Sequence, residues 1–474
     1  MDAARRLTVA GIRVTSDRGP AVLVNNDDLD RARNVLSTPE PGADRSAGVS
    51  ALPIEPLTEP FDAALDLPGS KSHTNRALLC AGLADGDSTL TRVLVADDTE
   101  AMMGALGRLG VGLSIDGTGG RVVAAVAGLG RSGFTAKDSV QIDVRQSGTT
   151  GRFLLPALAA GHGTFVVDGD EQLRRRPFGP QIATLKELGA DMTGAGLPLT
   201  IRAHGLAGGS ISVSGDVSSQ FLSGLLLAAP LFVNETEIRL DTELVSRPYV
   251  ELTVHTMADF GVEVDHDLDR GRFRVPAIGY RANQVELEPD ASAASYLFAA
   301  AAMTSSRVRV AGLGRSTVQG DLRFVNLLRR MGARVTVGAH QTEVVGTGTL
   351  HGITADMADI SDTAQTLAVV AACADSPTEV TGIGFIRHKE SNRIAAPVTE
   401  LRRLGVDAEA TDDGFVIRPG PIGGGMVQTY DDHRMAMSFA LLGLVRPGIV
   451  IADPDCVTKT FPGFFEVLDS LRHH

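Results

Sequence analysis

Leu67–Ala81 reads LPGSKSHTNRALLCA. Gly69, Ser70, Lys71, Ser72 and Arg76 fall just before and within the first turn of an apolar helix. A helix start carries unpaired N–H groups and the positive end of the helix dipole, so it favours anions. Two cationic side chains and two hydroxyls at that place predict a phosphate or carboxylate site. The spacing G-x-x-x-x-G-K-[ST] is absent, so this is not a nucleotide P-loop.

The same signals recur along the chain. Five times a helical pattern stops at an apolar residue, Gly, and Ala or Val. The stops are Gly110 (LGRLGV), Gly189 (LKELGA), Gly261 (MADFGV), Gly332 (LRRMGA) and Gly405 (LRRLGV), spaced 79, 72, 71 and 73 residues apart. Glycine just past a helix is the expected left-handed cap. The last segment, FFEVLDSLRHH, is again helix-like, so six units are expected. Each opens on a polar turn before an apolar helix: Ser70–Ser72, Ser147–Thr149, Ser218–Gln220, Asp290–Ser292, Ser361-Asp362 and Asp431–His433. Each has a second polar loop: Asp97-Asp98, Arg174–Pro177, Ser246–Pro248, Gln319–Asp321, His388–Glu390 and Lys459-Thr460. The period exceeds that of solenoid repeats, so two globular domains of three units are expected. Ala293–Met303 and Thr366–Ala374 are apolar on most sides, which predicts helices inside and sheets around them.

At 474 residues the chain is long enough for two large domains. The net charge of −13 and an aromatic content of 4% without Trp argue against a nucleic-acid surface or an anionic membrane surface. No run approaches the roughly 20 apolar residues of a membrane span. The N-terminus lacks the apolar region of a signal peptide. Cys80, Cys373 and Cys456 lie far apart without zinc spacing and are expected as buried thiols in a reducing cytoplasm. Residues 1–49, with the linker-like STPEPGADRSAGV, fall outside the repeat and are expected as a partly disordered extension.

The chemistry concentrates in the recurrent loops. Lys71, Arg76, Arg152, Arg176, Lys389, Arg393, Arg434 and Lys459 form a basic set suited to multiply anionic ligands. Ser218, Ser219 and Gln220, with Ser246, make an uncharged phosphate nest. Asp362 opens a helix, and Glu390 stands between Lys389 and Arg393, which hold it ionised. A bound phosphate would offset those cations and restore its basicity, making Glu390 a proton carrier; its other reading is an ion-pair partner that positions Arg393. Gly128–Gly133 matches G-x-G-x-x-G, but a strand and a helix are not expected beside it, so a dinucleotide site is rejected. Asp431–His433 lacks further ligand spacing and reads as a helix cap, so no metal is expected.

GSKSHTNR, SGTTGRF, DGDEQLRRRP, SSQFLSG, SRPY, DASAASY, QGD, RHKESNR, DDHRMAMSFALL and KTFP occur here in one order. In that order they resemble the 5-enolpyruvylshikimate-3-phosphate synthase family, over roughly Pro53 to Leu471. The resemblance implies an α/β fold of two inside-out domains, each of three βαβαββ units. It implies one domain from 50–69 plus 288–474 and a second from 70–287, with the site in the cleft between them. It implies transfer of the enolpyruvyl group of phosphoenolpyruvate to the 5-hydroxyl of shikimate 3-phosphate, with no metal or cofactor. Lys71, Ser72, Arg76, Ser218, Ser219, Gln220, Ser246, Tyr249, Asp362 and Lys389 would hold shikimate 3-phosphate. Lys71, Gly148, Thr149, Arg176, Gln220, Arg393, Arg434 and Lys459 would surround phosphoenolpyruvate. Asp362 would act on the 5-hydroxyl, with Glu390 and Lys71 carrying the proton of the methylene carbon. A cytoplasmic monomer that closes on its ligands is expected, and Gly148 leaves space for glyphosate. The sequence departs from the family pattern at Gln146, Phe385 and Asn392. A related UDP-N-acetylglucosamine enolpyruvyl transferase would carry a reactive Cys in the loop that here reads Asp170–Pro177, without one. A specialised paralogue with another cyclic hydroxy acid as acceptor is the alternative.

Overall fold

The structure is a computed structural model that describes residues 14–16, 23–24 and 50–473. The expected extension 1–49 therefore lies outside the described residues, apart from a short antiparallel pair, Val14–Ser16 with Leu23–Val24.

Among the remaining residues, six helices form the interior: α1 (Lys71–Leu83), α2 (Gly148–Ala159), α3 (Ser219–Ala228), α4 (Ala291–Met303), α5 (Ala364–Ala372) and α6 (His433–Val445). All twelve residues of α2 are buried, as are all nine of α5. Such all-round burial follows from their apolar composition, since a helix without a polar face has nothing to offer water. Each buried Leu contributes about 1.5–3 kcal/mol relative to exposure.

Small twisted sheets cover these helices. The unit around α2 shows the pattern. Val140–Asp143 pairs parallel with His162–Asp168, which pairs antiparallel with Leu199–His204, which pairs with Asp191–Thr193. The parallel pair needs a crossover, and α2 is that crossover. The five glycine stops all adopt positive φ: +93° at Gly110, +94° at Gly189, +81° at Gly261, +113° at Gly332 and +91° at Gly405. After each, the next N–H returns to a carbonyl five residues back, for example Val111 N to Leu106 O at 3.0 Å and Val406 N to Leu401 O at 3.0 Å. This is the cap the sequence predicts.

Three units are closed by distant strands. Gln284–Glu286 pairs with Thr89–Thr91, and Asp62–Leu65 pairs with Arg307–Val310. Ala51–Ile54 completes the last unit against Ile449–Ala452. Two apolar cores result. One gathers residues between Ala77 and Leu287, the other Ile54–Leu67 with Ala291–Leu471. The chain passes between them twice, and the two passages run side by side: Ser70 N donates to Glu288 O at 2.9 Å and Asp290 N to Pro68 O at 3.0 Å. Gly69 is required there, because a Cβ would lie 1.7 Å from the Arg92 carbonyl oxygen.

Three expectations change in detail. α5 starts at Ala364, after a 3₁₀ turn Ala358–Thr363 that contains Asp362, so Asp362 does not cap it. A strand, Val123–Ala127, does precede Gly128–Gly133, but the next element is a 3₁₀ turn, Gly130–Ser132, rather than a helix start. Cys80 is buried, whereas Cys373 and Cys456 are half-buried. No described helix is long and apolar enough to cross a membrane.

Candidate active site

Five of the six inner helices begin on a side-chain cap. Ser70 accepts from His73 N, Ser147 from Thr150 N, Ser218 from Gln220 N, Asp290 from Ala293 N and Asp432 from Arg434 N. The residues beside these caps meet where the two lobes face each other. Lys71, Gly148 and Ser219 are the first residues of their helices, and Arg434 is the second of its own. Converging helix starts give the cleft a positive bias before any side-chain charge is counted.

Asp362 is the hub on the second lobe. Arg434 Nη2 donates to its Oδ2 at 2.7 Å, Arg393 Nη1 to its Oδ1 at 3.3 Å, and Lys389 Nζ lies 3.7 Å away. These partners explain why Asp362 leaves α5 uncapped. Burial pushes its carboxyl up, but Arg434, Lys389 and Arg393 outweigh burial and hold it well below the usual range. Glu390 Oε2 pairs with Arg393 Nη2 at 2.8 Å. It too is raised by burial and held well below the usual range by Arg393, Arg176 and Lys459. Burial lowers the Lys389 amine to about 8. Arg393 thus bridges both candidate acid–base carboxylates. It is fixed from behind by Asp432, which accepts from its Nε at 2.9 Å and its Nη2 at 3.1 Å.

The first lobe reaches across. Arg176 Nη1 donates to Glu390 Oε1 at 3.4 Å, and Gln172 Nε2 donates to the Glu390 carbonyl at 3.0 Å. Asp98 is shared by Lys71 Nζ and Lys459 Nζ, each at 3.2 Å. Lys459 also donates to Gln146 O at 3.1 Å, and Gln146 Nε2 donates to Asp431 at 2.9 Å. Tyr249 Oη donates to Asp321 Oδ2 at 2.9 Å and lies 3.3 Å from Asp362 Oδ2. The facing cations are therefore separated by carboxylates, not left to repel one another.

The neutral side is built on α2 and α3. Gln220 accepts from Arg152 Nη1 at 2.6 Å and donates to Thr149 Oγ1 at 3.1 Å. A Cβ on Gly148 would lie 2.7 Å from Arg176 Nη1, so glycine makes room for that guanidinium. Ser246, at φ +54°, places its hydroxyl 3.5 Å from Ala358 O. Ser72 lines a small cavity with Tyr249 and Asp321. Two of the basic set turn inward. Arg76 donates to Thr253 Oγ1, Ser72 O, Ser223 Oγ and Tyr249 O, and lies 4.9 Å over the Phe153 ring. Arg152 stacks on Phe178 and Phe221 and donates to the Pro177 carbonyl. Burial lowers both guanidinium groups, Arg76 to about 10.

Comparison with known proteins places the chain in a family. The model of the EPSP synthase (3-phosphoshikimate 1-carboxyvinyltransferase) family matches residues 57–468. The 3-phosphoshikimate 1-carboxyvinyltransferase of Nostoc punctiforme is 43% identical over 422 residues, 88% of this chain and 98% of that protein. That of Methanoculleus marisnigri is 43% identical over 415 residues, 87% and 97% of the two chains. Among solved structures, an EPSP synthase from Acinetobacter baumannii superposes with a TM-score of 0.75 at 27% identity, over 89% of this chain and 98% of that one. The chain belongs to the EPSP synthase family.

It is accordingly a transferase with the two-domain enolpyruvyl transferase fold, and its reaction is that of the shikimate pathway. Its departures from the EPSP synthase pattern have local explanations. Asn392 Oδ1 accepts from Ile394 N at 3.2 Å and Ala395 N at 3.0 Å, starting the next helix as an acidic residue would. Gln146 crosses to Asp431 on the second lobe, and Phe385 packs on the second core. Asp98, Asp321 and Asp432 are charge partners that the sequence pattern does not mark. Asp98 and Asp321 do stand in the recurrent second loops, at the places that hold Arg176 and Glu390 in other units.

Proposed function

We propose that this cleft binds shikimate 3-phosphate and phosphoenolpyruvate side by side and joins them by addition followed by elimination. The observation that carries this reading is the bridge through Arg393, which holds Asp362 at 3.3 Å and Glu390 at 2.8 Å. One carboxylate is thereby set to take a proton and the other to move one, within a shell of cations. Shikimate 3-phosphate would be held by Lys71, Ser72, Ser218, Ser219, Gln220, Ser246, Tyr249 and Lys389, with Asp362 on its 5-hydroxyl. Arg76 serves that subsite from beneath, since its bonds fix Ser72 and Tyr249. Phosphoenolpyruvate would lie among Lys71, Gly148, Thr149, Arg176, Gln220, Arg393, Arg434 and Lys459.

In the addition step Asp362 accepts the 5-hydroxyl proton as that oxygen bonds to C2 of phosphoenolpyruvate. A proton from Glu390, or from Lys71, reaches the methylene carbon. In the elimination step the same group takes a proton back from the methyl carbon as the C2–O bond to phosphate breaks. The cations stabilise the departing phosphate. Phosphoenolpyruvate draws on the cations that hold Glu390 ionised, so its binding raises the proton affinity of Glu390. The two moving bodies are proposed as residues 50–69 with 288–474 and residues 70–287, working as a cytoplasmic monomer. The test is phosphate release from the two substrates by the intact protein and by Glu390→Gln. Fast release, with a loss of roughly 10²-fold or more in the variant, is expected. Binding of both substrates without release would overturn the reading.

A further inference from the structure

One buried carboxyl at the cleft has no part in the mechanism above. Asp321 sits in the 3₁₀ turn Gly320–Arg323 of the second lobe and is 5% exposed. Its Oδ2 accepts from Tyr249 Oη at 2.9 Å and from Ser292 Oγ. Its Oδ1 is buried and has no hydrogen-bond partner among the described residues. Tyr249 arrives from the other lobe, and its hydroxyl also lies 3.3 Å from Asp362 Oδ2. A single hydroxyl thus joins two carboxylates, the geometry of a proton wire.

We propose that Asp321 is the terminal proton acceptor of a relay, from Asp362 through Tyr249, that carries off the proton of the acceptor hydroxyl. This rests on the assignment of Asp362 to that hydroxyl. The O–H bond breaks as its oxygen bonds to C2 of phosphoenolpyruvate, and the proton passes to Asp362. Asp362 gives it to Tyr249 Oη while Tyr249 gives its own proton to Asp321 Oδ2. Asp362 ends ionised, Tyr249 neutral and Asp321 neutral, so one proton has moved and no charge is created. The departing phosphate takes up a proton at the end of the cycle, which balances the reaction.

The relay answers a physical difficulty. Asp362, ringed by Arg434, Lys389 and Arg393, is a weak base, and a base works best when its pKa lies near the working pH. Asp321 faces Ser292 on α4, Tyr249 from the first lobe, and Asp362 with Arg434 beyond it. Burial and the neighbouring Asp362 raise its carboxyl to about 6. A proton moving from Asp362 to Asp321 therefore runs toward the stronger base.

The test is the pH dependence of kcat for phosphate release, from about pH 5.5 to 8.5, for the wild type, Asp321→Asn, Tyr249→Phe and Asp362→Asn. The substrate phosphates ionise alike with every protein, so the ratio of wild type to variant isolates the enzyme groups. Asp321→Asn and Tyr249→Phe should each lose about 10²-fold at pH 8, with the ratio shrinking below pH 6, where wild-type Asp321 is already protonated. Tyr249→Phe removes no charge, so it answers the question if Asp321→Asn folds poorly. A ratio that stays constant with pH, or an unchanged kcat, overturns the relay. An inactive Asp362→Asn beside a pH-independent Asp321→Asn ratio overturns the relay alone. An active Asp362→Asn overturns the assignment of Asp362, and the relay with it.

Discussion

Asp432 is the residue whose loss should be felt most by both fold and site. It is fully buried and accepts four hydrogen bonds: Ser391 Oγ at 2.8 Å, Arg393 Nε at 2.9 Å, Arg393 Nη2 at 3.1 Å and Arg434 N at 3.0 Å. Asp432→Ala breaks a buried ion pair, which costs about 3–5 kcal/mol when one partner is removed. It also removes the cap of α6, about 1 kcal/mol. Arg393 keeps Asp362 and Glu390 as partners, so the ion-pair cost belongs at the low end of that range. The expected total is about 4 kcal/mol, a large part of the 5–15 kcal/mol that holds a typical protein together. Asp432→Asn separates the two parts, because Asn caps a helix as well as Asp does; about 3 kcal/mol should remain. The assay is urea unfolding followed by far-ultraviolet circular dichroism, since the chain has no Trp to report by fluorescence. In steady-state kinetics the KM for phosphoenolpyruvate should rise about tenfold or more, because Arg393 loses the group that fixes its plane. An Asn variant within about 1 kcal/mol of wild type would refute the reasoning, because the pair would then contribute no more than a surface pair.

The same geometry bears on two other positions. Gly148→Ala puts a Cβ 2.7 Å from Arg176 Nη1 and should push that guanidinium away from Glu390. The KM for phosphoenolpyruvate should rise about tenfold while that for shikimate 3-phosphate stays unchanged, and initial-rate kinetics with each substrate varied will show it. Lys389, lowered by burial to about 8, would on the proposed assignment hold phosphate only in its protonated form. Affinity for shikimate 3-phosphate should be complete below pH 8 and fall as pH rises through it, by up to about tenfold per unit, as calorimetric titration can measure. Lys389→Arg stays charged, so its affinity should not fall over that range.

The six-unit fold was legible because its signals are local. A glycine after a helix and a polar triplet before one each act within a turn of the backbone, and all five glycine stops fall where the pattern puts them. The cationic half of the site was legible for the same reason, since it recurs in the loops with the repeat. The carboxylates that partner it were not. Asp98, Asp321 and Asp432 take their roles as charge partners from contacts across the cleft or between units, and their places in the recurrent loops and caps do not record those contacts. Asp98 meets Lys459 at a separation of 361 residues, and Tyr249 meets Asp321 at 72. Helix caps pose the converse problem. Ser361-Asp362 reads as a cap, yet three cations compete for Asp362 and the helix starts later.

Those crossing carboxylates change the physical account of closure. With facing loops of like charge, the lobes would wait for an anion to bring them together. Instead Lys71 and Lys459 already share Asp98, and Arg176 already holds Glu390. An arriving phosphate or carboxylate must take these cations from carboxylates that have them. The exchange is near balance electrostatically, since one anion replaces another, and the gain would come from the starts of α2 and α3, which serine hydroxyls rather than carboxylates cap. On the proposed assignment, every cation drawn to the ligand would be one fewer holding Glu390 ionised, so its proton affinity would rise when the methylene carbon is in reach. Substrate binding and the activation of the proposed proton carrier would then be one event. A mutation that removes the exchange, such as Glu390→Gln, should therefore leave the ligands bound and the chemistry stopped.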